Sequence, residues 1–347
     1  MLFKNRVPKK AAILLLTAIL SWAGAAVFTF HVNPEIRFYE EAIKRKRAWA
    51  DRLNHLYSAK TVIYGGSSCA FSIDGERMEK IHGLPTVNFG LHAGFGAQFL
   101  SNIALTACRS GDTLAIALEP DLLAKTIERT SVEIQLGYAL GEPSLAKKVS
   151  QTDYAPQLSD FLEFRPGGQF VFTMLGKVAL RKPAYRYQIN EVHESGWQTT
   201  SMRVNLDGEA AGPMVISKDG YTLLNALRKE CDEKHIHLVY SLPWFYVDAN
   251  AIRQHRTASI RFLEQIIKIV PALRDPYLGA CSNSKLYADS RWHLTEQGAA
   301  IRTDALAQEL RQNSYWDERS LAEAESAISK GIYEDMIGSD SDSRDAQ

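Results

Sequence analysis

The chain has 347 residues, of which 46% are hydrophobic and 23% charged, ordinary values for a globular protein. Forty Lys and Arg balance forty Asp and Glu, so the formal net charge is zero. That excludes a broadly basic nucleic-acid binder, which needs surplus cations for phosphate contacts, and an acidic disordered chain. Four cysteines with no CxxC pair exclude a disulfide-built scaffold and a zinc ribbon. Neither a metal nor a cofactor is expected.

Lys4, Arg6, Lys9 and Lys10 precede Ala11 to Phe30, a stretch without one charge. Twenty helical residues span roughly 30 Å, the thickness of a bilayer core. A cation cluster before such a span stays cytoplasmic, so the rest of the chain is expected outside. An uncleaved anchor is favoured over a cleavable signal peptide, for which Ala23-Gly24-Ala25 would be the small-residue site. The apolar run continues to Phe30, longer than a usual signal core.

Residues 35–59 are charged and helical in period, with Ile36, Tyr39, Ile43, Trp49, Leu53 and Tyr57 as one apolar stripe. They read as a juxtamembrane helix. Short apolar runs then alternate with helical patterns. Strands are predicted at 61–65, 86–89, 113–118 and 236–241, and helices at 97–108, 134–148, 170–181, 221–234, 251–269 and 296–311. Continuous apolar strands separated by helices imply a parallel sheet covered on both faces. Ligands in such sheets sit at the carboxyl ends of the strands. Gly65-Gly66-Ser67, Asn88-Phe89-Gly90 and Glu119-Pro120-Asp121 fall there. After Trp316, nine acidic residues face only Arg319, Lys330 and Arg344, and the end, GSDSDSRDAQ, is expected to be disordered.

Three separated pieces carry the chemistry. In TVIYGGSSCAFSID (61–74), glycines after a strand expose Ser67 and Ser68. In VNFGLHAGFGAQF (87–99), glycines after a second strand let backbone N–H groups point inward as an oxyanion hole. His92 there reads as a loop or packing residue. In LYADSRWHLTEQGAAIRT (286–303), Asp289 and His293 precede a helix with Thr295 as N-cap. His293 would take a nucleophile's proton while Asp289 orients the imidazole and stabilises its charged form. Cys69 reads as a packed small residue, and Cys108, Cys231 and Cys281 could pair outside the cytoplasm in a way the sequence leaves open. Trp244 and Phe245 read as core rather than pocket.

Together these blocks resemble the SGNH (GDSL-like) hydrolase superfamily, in particular a membrane-anchored bacterial branch. Gly65 to Asp74 match G-G-S-[NS]-x-x-F-x-I-D, Asn88 to Gly94 match N-x-G-L-H-A-G, and Asp289 to Gly298 match D-[ST]-x-x-H-L-[NT]-x-x-G. The resemblance spans roughly residues 58 to 312. It implies a three-layer α/β/α sandwich with a mainly parallel, flavodoxin-like sheet. It also implies Ser67 as nucleophile, with Ser68 as fallback, His293 as base and Asp289 as its partner. The oxyanion donors would come from Ser67, Gly94, Gly90 and Asn88. Two departures stand out: Gly66 replaces the usual central Asp of Gly-Asp-Ser, and Glu119-Pro120-Asp121 stands where a G-x-N-D block usually supplies Asn.

The expected organisation is a cytoplasmic basic segment (1–10), a transmembrane anchor (11–30), a juxtamembrane helix (31–59), an SGNH-like domain (60–313) and an acidic tail (314–347). The implied function is an esterase or O-acyltransferase on an acylated (acetylated) polysaccharide or envelope polymer, held at the bacterial inner membrane and facing the periplasm or exterior. The alternatives are a catalytically silent SGNH-like component of polysaccharide export and a plain membrane-anchored receptor or scaffold. The expected partners are the membrane and a polysaccharide acceptor, with no nucleic acid.

Overall fold

The computed structural model describes residues 6–147, 158–165, 168–183, 185–206 and 214–333. Helix α1 (Arg6–His31) carries the uncharged stretch, and Lys9–His31 is long and apolar enough to cross a membrane. Asn33 ends the turn after it and accepts the Glu35 N–H at 3.0 Å, and Pro34 opens α2 (Pro34–Leu56). An acceptor side chain at the N-cap and proline in the first turn are standard helix starts.

The α/β body follows. Strand β1 (Thr61–Gly65) leads into α3 (Ser67–Ala70) and α4 (Gly75–Lys80), and β2 (Thr86–Asn88) leads into α5 (Gly96–Leu105). Strand β3 (Thr113–Ala117) is followed by α6 (Pro120–Ala124), α7 (Ser131–Ala139), α8 (Leu158–Leu162) and α9 (Gly168–Ala179). Then come α10 (Lys218–Glu233), β4 (His237–Tyr240), β5 (Phe245–Tyr246), α11 (Ile252–Ile266), β6 (Ala280–Cys281), α12 (Glu296–Gln312) and α13 (Glu318–Lys330).

The four expected strands form one parallel sheet in the order β2-β1-β3-β4, with Thr61 in register with both Thr86 and Thr113, and Thr113 with His237. Each boundary lies within a residue or so of the apolar run that marked it. Strands β5 and β6 form a separate two-stranded parallel pair. Side-chain alternation explains why the central strands read as unbroken apolar runs. Val62, Tyr64, Leu114, Ile116 and Tyr240 enter a large cluster with Ile43 and Trp49 of α2, Phe99 and Ile103 of α5 and Leu224 of α10. Ile63, Ala115 and Val239 point the other way, against Met78 of α4 and Leu306 and Ala307 of α12. Both faces of the sheet are therefore dry.

Two expected segments turn out to belong to the body. Helix α2 buries Ile36, Tyr39, Ile43, Trp49 and Leu53 as the stripe predicts, and Phe38, Ala42 and Ala50 with them. Tyr57 leaves the stripe: it lies beyond the helix, is 38% exposed, and bonds Glu79 at 2.9 Å. Trp49 donates its indole N–H to the Thr86 carbonyl at 3.1 Å, tying α2 to the edge strand. Within the expected tail, α13 packs on α11, and Trp316, Leu321, Ala324, Ile328 and Tyr333 are buried in the main core. The GSDSDSRDAQ end lies outside the described residues.

The amino edge of the sheet is held by Lys60 and Asp112, a buried ion pair at the starts of β1 and β3. Asp112 also accepts the N–H groups of Lys60 and Arg109, each at 2.9 Å, and Lys60 Nζ donates to Asn54 at 2.7 Å. A buried pair survives only when its remaining polar sites are satisfied in this way.

Candidate active site

The chain leaves β1 for β2 on one side and returns to β3 on the other, so the crevice at the carboxyl ends of β1 and β3 is the topological switch point. Ser67 stands there as the first residue of α3, at the end of β1, and is partly exposed, whereas Ser68 is buried. Across the crevice, Glu119 follows β3 and is buried. Its two carboxylate oxygens accept the N–H groups of Gly66 and Ser68, each at 3.1 Å. Burial pushes the Glu119 pKa up, and hydrogen bonds from Ser68 and from its own backbone hold part of that rise back. A Cβ on Gly66 would lie 2.4 Å from both carboxylate oxygens. Glu119, from the end of the neighbouring strand, thus fills the space that a side chain at position 66 would need.

His293 and Asp289 come from a narrow loop closed by the Tyr287–Leu294 bridge and by the Ala288 N–H on the His293 carbonyl at 2.8 Å. Thr295 caps α12, accepting the Gly298 N–H at 3.1 Å, so the helix start fixes the end of the loop. Both site residues are buried. His293 Nδ1 lies 2.8 Å from Asp289 Oδ1. The Tyr187 hydroxyl donates to Asp289 Oδ2 at 3.0 Å, and the Arg186 guanidinium pairs with the same oxygen at 2.7 Å. Burial alone would raise the Asp289 pKa, but the hydrogen bond and charge of His293, the Arg186 cation and the Tyr187 hydroxyl outweigh it and hold the carboxyl below its ordinary range. An ionised Asp289 keeps the proton on His293 Nδ1, which leaves Nε2 as the basic nitrogen.

Phe71 connects the two halves. It closes the first turn after Ser67, with its N–H on the Ser67 carbonyl at 3.0 Å, and its ring stacks on His293 with centroids 4.1 Å apart and planes 18° apart. Ser67 and His293, 226 positions apart in sequence, are thereby linked through Phe71. Among the described residues, no hydrogen bond joins Ser67 Oγ to His293.

The second glycine block folds beside them. Asn88 is fully buried and staples α3, donating to the carbonyls of Cys69 at 2.9 Å and Ile73 at 2.8 Å. Its Oδ1 accepts the Gly90 N–H at 2.7 Å. The Gly94 N–H goes to His92 Nδ1 at 2.9 Å. Of the expected oxyanion donors, Asn88, Gly90 and Gly94 are thus committed within the protein, while the Ser67 N–H has no protein acceptor among the described residues. His92 is exposed in its loop, yet partial desolvation by its neighbours and, after it, the charge of His293, to which it lies close enough, lower its pKa.

Beside the Asp289–His293 loop, a cavity of about 600 Å³ is lined by Arg203, Asn205, Tyr246, Ser284, Lys285 and Tyr287, among others. Trp244 and Phe245 are core residues, Trp244 against Tyr277 and Phe245 against His255. All four cysteines are unpaired. No group of three or more metal-ligating side chains occurs among the described residues.

Sequence reasoning placed Glu119 at the ligand edge without seeing its clamp on Gly66 and Ser68, and it missed Arg186 and Tyr187. A carboxylate at a strand end opposite a Gly-Gly was a usable signal for Glu119. Arg186 and Tyr187 lie in an irregular stretch with no pattern to mark them. Fold and site together define an α/β protein with a serine and an Asp–His pair at the carboxyl edge of a parallel sheet. No protein-family model, curated protein or solved structure matches the chain.

Proposed function

We propose that the chain is a membrane-anchored SGNH-like serine esterase or O-acyltransferase, with a three-layer α/β/α domain held outside the inner membrane by α1. The observation that carries this reading is the Asp289–His293 pair stacked on Phe71, one helical turn from Ser67. In the reaction, His293 Nε2 takes the Ser67 proton as Oγ attacks an ester carbonyl. The tetrahedral oxyanion faces the Ser67 N–H. Collapse breaks the ester C–O bond, His293 gives its proton to the leaving hydroxyl, and an acyl-Ser67 remains. Water or a sugar hydroxyl, deprotonated by the same nitrogen, releases the acyl group. Hydrogen bonds between nucleophile and base are commonly long or absent without ligand and form in the complex, which accommodates the lack of a Ser67–His293 hydrogen bond among the described residues. The acylated polymer is a polysaccharide or envelope polymer, and the polar cavity beside the loop, with Arg203, Asn205, Ser284 and Lys285, suits its hydroxyls and anionic groups.

The second reading is a catalytically silent fold in polysaccharide export. It is favoured by a carboxylate, Glu119, holding the two N–H groups that flank Ser67. A fluorophosphonate probe decides between them. Labelling of the full-length protein that disappears in Ser67→Ala and in His293→Ala is expected. Absence of labelling in the folded wild type overturns the enzyme reading.

A further inference from the structure

We propose that α8 and α9 form a second membrane contact, lying in the leaflet on the domain's side of the bilayer beside α1. The inference rests on the reading of α1 as a membrane anchor. Leu158 and Leu162 of α8, Phe172, Leu175 and Val178 of α9, and Leu180 just after it are each more than half exposed. On α9 the outward side carries Phe172, Leu175, Val178 and Ala179, while Lys177 is on the more shielded side. The shielded side carries Phe170, Val171 and Met174 as well, so the helix is apolar nearly all round, as expected of a helix whose outer solvent is not water.

The occupant follows from what touches α1. The Trp22 indole donates to the Phe161 carbonyl at 2.7 Å, and its ring stacks on Phe164 at 6.1 Å. Phe164 also meets Phe30 edge-on at 4.9 Å. From Ala11 to Phe30 the uncharged stretch is only just long enough for a bilayer core, so all of it is needed to span. Trp22 precedes Phe30 by eight residues, about 12 Å along a helix. The segment bonded to Trp22 therefore lies below the membrane surface, at the depth of acyl chains. Helix α9 begins three residues after Arg165 and has 12 residues, about 18 Å, too short to span and suited to lie along the interface. Arg165 before it, and Arg181 and Lys182 after it, supply cations at headgroup level.

The test uses full-length protein in its membrane, with the photo-crosslinker p-benzoylphenylalanine placed singly at Ile13, Phe172, Leu175 or, as a water-facing control, Lys229. Lipid adducts at 172 and 175 in yields like those at 13, with none at 229, are expected. Adducts at 13 with none at 172 or 175 overturn the second contact and leave the anchor standing. No lipid adduct at any position overturns the anchor reading and this inference with it. Protein adducts at 172 and 175 in place of lipid overturn it in favour of a protein partner. Both substituted α9 side chains point outward, and an unchanged Tm relative to wild type shows that the replacement leaves the fold intact.

Discussion

Glu119 holds the turn that presents Ser67, and it does so from a strand that is neighbour to β1 only in the folded sheet. Each carboxylate oxygen takes one N–H, from Gly66 and Ser68, and the missing side chain of residue 66 is what makes room. The two positions should therefore be coupled energetically. Gly66→Ala is expected to cost about 1–3 kcal/mol by overpacking. In a Glu119→Ala background the added methyl has space, so the double variant should be less destabilised than the sum by about 1–2 kcal/mol. Urea unfolding of the four proteins measures this, and strict additivity would remove the steric explanation for Gly66. Asp289 gives a second expectation at this scale. Its folded pKa is lowered, so between that value and the ordinary one of 3.8 the unfolded chain binds more protons. Its stabilising contribution is full above the ordinary pKa and is lost as pH falls through the folded one. The stability gap between wild type and Asp289→Asn should accordingly close in acid. In Arg186→Ala, where one cation is gone, the folded pKa is less depressed, so the closing should be complete at a higher pH. An unchanged midpoint in Arg186→Ala would show that the exposed Arg186 contact is electrostatically idle.

Helix α2 is fastened to the body by an unusual side chain. Lys46 is buried, and its Nζ donates to the carbonyls of Asn88, at 2.8 Å, and of Gly196. Burial lowers its pKa from 10.5 to about 7, against a small opposing effect of Cys69. A neutral amine has two N–H donors, matching the two carbonyls. Between pH 7 and 10.5 the unfolded chain keeps a proton on this lysine that the folded chain has released. Stability from this residue therefore rises with pH through that window, by up to about 1.4 kcal/mol per unit. Lys46→Met leaves two buried carbonyls short of a donor, at a cost of about 1–3 kcal/mol each where nothing else replaces it. The gap between wild type and Lys46→Met is expected to widen from pH 7 to pH 9, read by urea unfolding at each pH. A gap that stays constant over this range would mean that the lysine stays charged when folded. This lysine also explains why α2 reads as a mere connector. Its apolar stripe was legible from residues 36 to 53, but Arg45, Lys46 and Arg47 look like a solvated run, and nothing local says that the middle one is buried. The four sheet strands were legible because both of their faces are dry, so each is a short run without charge. Ser67 at the end of β1 and the Asp289–His293 pair in one loop were legible from local sequence. The Glu119 clamp and the Arg186–Tyr187 support were not, because each depends on a contact more than fifty residues away.

At the scale of the whole molecule, α1, α2 and the sheet are one packed unit from Ala26 to Tyr333, since residues from both ends enter the same core. That has a consequence for topology. A reporter placed between α2 and β1 would separate a helix from the sheet it covers, so it belongs after Tyr333, behind the last helix. The charge evidence is closer to balance than the first ten residues suggest. Lys4, Arg6, Lys9 and Lys10 precede the apolar span, but Arg37, Lys44, Arg45, Lys46 and Arg47 follow it. Two features favour the first group. Lys9 and Lys10 abut the span, whereas the first cation after it is seven residues past Phe30. The later cations are also taken up by folding: Arg37 and Lys44 pair with Glu40, Arg47 with Glu142, and Lys46 is buried. An alkaline phosphatase fused after Tyr333 is expected to be active and a cytoplasmic reporter there silent. Lys9→Glu combined with Lys10→Glu should reduce the phosphatase signal, because orientation then loses its nearest cations while α2 keeps all of its own. The opposite pattern in the parent fusions would place the Ser67 crevice in the cytoplasm and end the case for an exported polymer as its substrate.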